Sequence, residues 1–133
     1  MLLDYLSITV DYHSLARLLK TTESGTYFPN ITRLTSLGMF VEVGKHAELL
    51  IYERNLKIGL PVIAAVTTFG WQHWQGEITK HAVVVTGIDR SHELIYIHDP
   101  FFANAPIEMP LVEFEMGWEE QERQYAVIGL APP

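Results

Sequence analysis

A histidine and an aspartate lie at the outer ends of two neighbouring apolar segments, where their side chains could act together in acid–base chemistry. His81 begins the segment HAVVVTGI, and Asp99 ends the segment ELIYIHD. If Arg90 is the centre of a hairpin turn between the two segments, His81 lies directly opposite Asp99 on the same face of the hairpin. Pro100 restrains the backbone of Asp99 to an extended conformation, which helps to fix where the carboxylate points.

A carboxylate that orients an imidazole supplies two of the three groups in a nucleophile–base–orienter triad. Opposed residues on antiparallel strands have Cβ atoms about 4.5–5.5 Å apart, which suits a hydrogen bond between His81 and Asp99. Asp99 would set the tautomer and stabilise the imidazolium, and His81 would take a proton from a third group. The same spacing fits an ordinary polar pair at a strand end, so spacing alone leaves both interpretations open.

Two tryptophans just before His81 are candidates for substrate binding. Trp71 and Trp74 lie in the segment FGWQHWQGEITK, which the sequence predicts to be a loop. Exposed aromatic rings beside a catalytic histidine could form the wall of a substrate cleft. The same rings could instead cover the edge of the sheet, and the sequence does not decide between these two roles.

The other histidines give no metal-binding pattern. A zinc site needs three or four converging ligands, and neither an HxxxH nor an HxH pair is present, so we expect no metal and no cofactor. His98 alternates to the face opposite His81 and is interpreted as a half-buried structural residue. The remaining four are scattered over predicted helices and loops: His13, His46, His73 and His92.

Composition limits the classes of protein that the chain can belong to. It has 133 residues, 48% of them hydrophobic, which is enough for one globular domain with its own core. Sixteen acidic residues against nine basic ones give a formal charge of −7, which disfavours nucleic acid as a partner. No apolar run approaches the ~20 residues that a membrane helix needs. No signal peptide is visible, so the default expectation is a cytoplasmic protein.

Hydrophobic patterning divides the chain into a helical first half and a stranded second half. Predicted helices cover residues 1–6, 11–20, 29–37, 45–57 and 111–118, and in residues 45–57 the inward side chains are Ala47, Leu50, Ile51 and Leu56. Predicted strands cover residues 39–43, 61–68, 81–88, 93–99 and 124–130. Residues 105–118 are expected to cross the sheet and to place Phe114 and Trp118 in the core. This order predicts an α+β fold with an antiparallel sheet.

Several of these segments together resemble one branch of the papain-like cysteine peptidases. The segments LPVIAAVTT, HAVVVTGID, IYIHDPFFANAPIEMPLVEF and YAVIGL are similar to the peptidase-C39-like branch, relatives of the bacteriocin-processing, double-glycine peptidases. The upstream pattern VDYHSLARLLKTT and GTYFPNITRLTSLG also fits. The resemblance implies a papain-like (cysteine proteinase) fold, peptide or protein substrates, and a Cys-His-Asp triad in which His81 is the base and Asp99 the orienting acid.

The chain departs from that family at the nucleophile. The family's cysteine begins a central helix in a CGPAC-like motif, with an oxyanion-stabilising glutamine shortly before it, whereas this chain contains no cysteine. Its first residues, MLLDYL, resemble the tail of that helix, so we expect a single domain over residues 1–133 that is incomplete at its N-terminus. A start further upstream, trimming and degeneration each explain this departure.

Two functions follow from the missing cysteine. One is a cysteine-peptidase-family domain that keeps the His81–Asp99 pair and is inactive in this form. The alternative is a non-catalytic, peptide-binding pseudo-peptidase. Missing helical turns would also leave part of the apolar sheet uncovered, which predicts a homodimer over that face.

Overall fold

A six-stranded sheet dominates the computed structural model, which describes residues 28–130 except for the side chains of residues 103–105 and Leu130. A 3₁₀ helix, Phe28–Leu37, precedes it, and a shorter one, Gln72–Trp74, interrupts it. The strands and the α-helices among the described residues are β1 (Met39–Gly44), α1 (Leu50–Lys57), β2 (Val62–Thr67), β3 (Lys80–Asp89), β4 (Leu94–Asp99), β5 (Phe102–Pro110), α2 (Leu111–Glu120) and β6 (Tyr125–Leu130).

All neighbouring strands are antiparallel, and their order across the sheet is β1-β6-β2-β3-β4-β5. The core lies between one face of this sheet and the helices α1 and α2. Alternate residues of a strand point to the same face, and in the central strands these are apolar. The fully buried ones include Val62, Ala64, Val66, Val83, Val85, Ile95 and Ile97.

Aromatic side chains from the two helices complete this core. Tyr52 of α1 packs against Trp118 and Phe114 of α2, with ring centroids 4.8 and 5.7 Å apart respectively. All three side chains are fully buried, as the sequence predicts for Phe114 and Trp118. His81 and Asp99 continue the alternation of β3 and β4 onto this same face, so they lie at one end of the layer that the helices cover.

Helix α2 approaches β2 unusually closely at Gly117. A Cβ atom at this position would collide with the backbone carbonyl oxygen of Thr67, so only glycine fits here. The helix is also tied to the sheet by Gln121, whose Nε2 donates to Thr67 Oγ1 at 2.8 Å. These contacts fix the position of α2 relative to the strand ends that carry His81 and Asp99.

The fold class and the predicted strands are confirmed, with ends that shift by a few residues. The segment 105–110, expected to be an extended crossing, is in fact the second half of β5 and pairs with β4. The predicted helix 29–37 is the 3₁₀ helix, and it ends at Gly38, whose φ is 79°. The predicted helices at residues 1–6 and 11–20 lie outside the described residues.

The helix predicted for residues 45–57 begins only at Leu50. The residues before it form a turn, since His46 adopts a left-handed φ of 57° and its N–H donates to Glu122 O at 2.7 Å. The buried face of the helix also differs from the predicted one. Leu50, predicted to point inward, is 53% exposed, and Tyr52 is buried in its place.

The predicted register of the β3–β4 hairpin is wrong. Val84 pairs with His98 and Val85 with Ile97, and a β-bulge separates these pairs from those nearer the turn. The turn itself takes residues 90–93 rather than a centre at Arg90. Continued to the strand ends, the observed register places Asp99 opposite Val83, so His81 is a diagonal neighbour of Asp99 on the same face.

Candidate active site

The side chains of His81 and Asp99 meet despite the different register. His81 Nε2 lies 2.6 Å from Asp99 Oδ1, a short distance typical of a hydrogen bond to a charged acceptor. A diagonal pair has a longer Cα separation than an opposed pair, and the length of the imidazole side chain spans it. The Asp99 side chain is fully buried, and that of His81 is only 9% exposed.

Asp99 accepts three further hydrogen bonds. The N–H of Phe101 donates to Oδ1 at 3.0 Å, and Trp74 Nε1 donates to Oδ2 at 2.9 Å. His73 Nε2 lies 3.1 Å from the same Oδ2. Burial, the largest single influence, raises the pKa of Asp99. The hydrogen bonds from His81, Phe101 and His73 together outweigh it, so the pKa lies below its usual value and the carboxylate is ionised.

An ionised Asp99 determines the tautomer of its histidine partner. A carboxylate without a proton can only accept hydrogen bonds, so Nε2 of His81 carries the proton. In the neutral ring, Nδ1 is then an acceptor, and it forms no hydrogen bond with any residue in the range 28–130. An imidazole held in this way is oriented to accept a proton, or a hydrogen bond, at one defined atom.

The loop between β2 and β3 carries Trp74 and His73 to Asp99. Its two ends are joined by the buried Thr68, whose N–H donates to Thr79 O at 3.0 Å and whose hydroxyl accepts from Thr79 N at 2.9 Å. The same hydroxyl donates to Glu77 O at 2.7 Å. These bonds close the base of the loop, so the 3₁₀ helix Gln72–Trp74 is held beside the end of β4.

The prediction that Trp71 lines a substrate cleft is wrong, because its ring is fully buried. It packs against Phe114 with ring centroids 6.2 Å apart, and its Nε1 donates to Glu113 O at 3.2 Å. A tryptophan whose only polar atom finds such a partner is well suited to the core. Trp71 therefore anchors the loop onto α2.

Trp74 is half-buried and lies within the site. Its ring meets that of His81 edge-to-face, with centroids 5.1 Å apart, while its Nε1 holds Asp99. Trp71 thus attaches the loop to α2, and Trp74 attaches it to Asp99. Whether Trp74 also contacts a substrate stays a prediction.

Two phenylalanines that the sequence did not mark as site residues also lie at the site. Phe101 is 73% exposed and lies beside His81, with ring centroids 5.2 Å apart. Phe102 meets the ring of His73 edge-to-face at 5.0 Å. Both phenylalanines directly follow Asp99-Pro100. This position is the sequence signal that could have placed them at the site, since a turn at the strand end returns the chain over it.

The remaining histidines lie elsewhere. His98 is half-buried and, by alternation, on the sheet face opposite His81, as predicted. His92 lies in the turn between β3 and β4, where its Nδ1 is 2.8 Å from Asp89 Oδ2. Among residues 28–130, no three His, Asp or Glu side chains are arranged to hold a metal ion.

The site is thus a buried carboxylate that orients an imidazole at the end of an antiparallel sheet, which is two of the three groups of a nucleophile–base–orienter triad. The model of the Peptidase_C39 like family matches residues 1–126, and the chain belongs to that family. Its fold is papain-like in the form that C39-like peptidases adopt. The search of curated proteins gave no match.

Two solved structures share this fold. One is the crystal structure of a protein described as a C39-like peptidase from Bacillus anthracis. It has a TM-score of 0.74 and 20% identity, and the match covers 99% of this chain and 86% of the other. The second is the peptidase domain of Streptococcus ComA, a bi-functional ABC transporter involved in a quorum sensing pathway. It has a TM-score of 0.67 and 22% identity, covering 98% of this chain and 85% of the other.

Two expectations about partners have different outcomes. Within the part of the chain that the structure describes, no helix has both the length and the apolar character required to cross a membrane. The homodimer, which the sequence predicts because missing helical turns would leave part of the apolar sheet uncovered, stays a prediction.

Proposed function

We propose that this domain binds extended peptides at the His81–Asp99 end of the sheet and does not cleave them through a thiolate of its own. Membership of a peptidase family supports peptides as the ligand class. The absence of cysteine from all 133 residues supports the second half of the proposal, because a cysteine peptidase needs a thiolate to form its acyl-enzyme.

The observation that carries the proposal is the buried carboxylate that holds His81 in one tautomer. In a cysteine peptidase, a base oriented in this way takes the proton of the thiol. In a chain without a thiol, Nδ1 of His81 is a hydrogen-bond acceptor with no protein partner among residues 28–130. A backbone N–H of a bound peptide would satisfy this acceptor.

Phe101 supplies apolar surface next to that acceptor. Its ring is 73% exposed and adjoins both His81 and Trp74, at centroid distances of 5.2 and 5.6 Å. Covering such a ring with an apolar side chain of a peptide removes its surface from water, which favours binding. An apolar contact and a hydrogen-bond acceptor side by side suit a peptide in an extended conformation.

A turnover assay tests the catalytic half of the proposal. The purified chain is incubated with a quenched fluorescent peptide that contains an internal Gly-Gly pair, with and without iodoacetamide. We expect no cleavage above the buffer control, because the covalent step has no nucleophile. Thiol-dependent cleavage that iodoacetamide abolishes would contradict the proposal.

A binding assay tests the other half. Fluorescence anisotropy of a labelled Gly-Gly peptide should show saturable binding, and Phe101→Ala should weaken it about tenfold, since losing a buried aromatic contact costs about 1.5 kcal/mol or more. His81→Ala should weaken it by a similar factor through the lost acceptor. Phe40→Ala is a matched control, because Phe40 is 49% exposed on β1, far across the sheet order from β4. Equal losses in the control and in both site variants would overturn the proposal.

A further inference from the structure

Asp99 is shared between two histidines. Its Oδ1 accepts from His81, and its Oδ2 lies 3.1 Å from Nε2 of His73. The His73 side chain is 16% exposed, and its ring lies between those of Trp71 and Phe102, with centroid distances of 5.6 and 5.0 Å. A triad of the kind described above requires only one imidazole on the carboxylate, so the second one calls for its own explanation.

The two oxygens of Asp99 are engaged symmetrically. Oδ1 receives the donors of His81 and Phe101, and Oδ2 receives those of Trp74 and His73. The terminal torsion of an aspartate side chain is broad, so a carboxylate held at one oxygen alone can rotate about its Cβ–Cγ bond. With two donors at each oxygen, any such rotation breaks hydrogen bonds on both sides at once.

We propose that His73 is a positioning residue, which donates its Nε2–H to Asp99 Oδ2 and thereby keeps Oδ1 aimed at His81. The inference rests on the proposed function, in which His81 is the group that meets the peptide. It assigns His73 no contact with the ligand. Its effect passes through Asp99 and reaches the peptide only as a fixed orientation of the His81 ring.

A packing role is the competing explanation, because the His73 ring also contacts Trp71 and Phe102. Two substitutions separate the roles. His73→Phe keeps an aromatic ring in that place and removes the donor. His73→Gln removes the ring and keeps an N–H donor at about the position of Nε2.

The test is nuclear magnetic resonance of the full chain labelled with ¹⁵N and ¹³C, with no peptide present. In the native chain we expect His73 and His81 both to carry the proton on Nε2, and the His81 Nε2–H proton to be visible because the hydrogen bond slows its exchange. His73→Phe should lose this signal and shift the pKa of Asp99 upward, since one of the hydrogen bonds that lower it is gone. His73→Gln should keep the signal and leave the Asp99 titration unchanged. His92→Phe, in the distant turn, is the matched control and should also leave both unchanged.

Three results would overturn the proposal. His73→Phe could leave both measurements as in the native chain, or His73→Gln could lose as much as His73→Phe. The third, a proton on Nδ1 of His73 in the native chain, needs no variant and so does not depend on how the variants fold. A chain that binds no peptide but meets these expectations refutes the proposed function and leaves the role of His73 standing.

Discussion

The β3–β4 hairpin carries a histidine–aspartate pair at each end, and only one of the two resembles a site. Near the open end, His81 lies 2.6 Å from Asp99, and in the turn His92 lies 2.8 Å from Asp89. The distances are almost the same. The two pairs differ in burial, since the His81 side chain is 9% exposed and the His92 side chain is 73% exposed. The distance between the partners therefore does not identify a functional pair.

The origin of the hydrogen-bond donors separates the pairs more clearly. Asp89 is held by its near neighbours, through the Ser91 hydroxyl at 2.7 Å and the side chain and N–H of His92. Asp99 is held by donors from the β2–β3 loop, from β3 and from the turn that follows it. Local donors stabilise a turn, whereas donors gathered from separate parts of the chain stabilise a tertiary arrangement.

A lowered pKa does not distinguish the pairs either. The hydrogen bond from the Ser91 hydroxyl, followed by those from His92, lowers the pKa of Asp89. The pKa of Asp99 is lowered as well, in spite of burial, which acts in the opposite direction. What differs is the free energy of unfolding that is lost with the carboxylate. Water can replace Asp89 for its exposed donors, whereas the donors around Asp99 are largely buried.

The largest expected effect comes from removing each carboxylate in turn. Asp99→Ala should lower the free energy of unfolding by about 3–5 kcal/mol, because it leaves the buried hydrogen-bond donors of His81, Trp74 and His73 without an acceptor. Asp89→Ala should leave it within experimental error, since water replaces the lost partner. Urea denaturation followed by tryptophan fluorescence measures both. Similar losses in the two variants would remove the distinction between the pairs.

Removing one donor from each carboxylate should give a smaller difference of the same kind. Trp74→Phe keeps an aromatic ring and removes the Nε1 donor of Asp99, which should cost about 1–2 kcal/mol. Ser91→Ala removes the hydroxyl donor of Asp89 in the exposed turn and should cost nothing measurable. The same denaturation experiment compares them, and a Trp74→Phe chain as stable as the native one would show that the four-donor arrangement is redundant.

Five of the six described strands could be predicted from the sequence, but β5 and the pairing of β3 with β4 could not. Runs of β-branched residues such as those in HAVVVTGI indicate strands wherever they occur. Register depends instead on the length of the turn and on the β-bulge after Val85. The turn also includes Glu93 in a left-handed conformation, with φ of 55°, which a glutamate does not signal.

The roles of the loop residues depend on partners far along the chain. Trp71 and Trp74 are equivalent by type and spacing, and they differ because Trp71 reaches the carbonyl of Glu113, 42 positions later. His73 meets Asp99 across 26 positions. Nothing in the local sequence separates His73 from the exposed His92, so its place in the site could be found only from the fold.

The smallest expected effect is a difference in how the two carboxylates shape stability in acid. Asp99 has a lower pKa in the folded chain than the usual value of about 3.9, so it stabilises the fold above that pH. This stabilisation is lost as the pH falls from that value through the folded pKa. In that range the unfolded state binds more protons than the folded state, so added acid favours unfolding. Asp99→Asn removes this contribution and should flatten the acid side of the stability curve.

Asp89 acts in the same direction but should contribute little. Its donors lie within three residues, so part of the arrangement persists in the unfolded chain, and solvent screens its charge. The free energy of unfolding of Asp89→Asn should therefore fall with decreasing pH as steeply as that of the native chain. Urea midpoints measured across the acid range compare the slopes of the three proteins, which makes the result independent of how much each substitution destabilises at neutral pH. An Asp99→Asn chain with the native slope would show that the buried pair is no more coupled to folding than the exposed one.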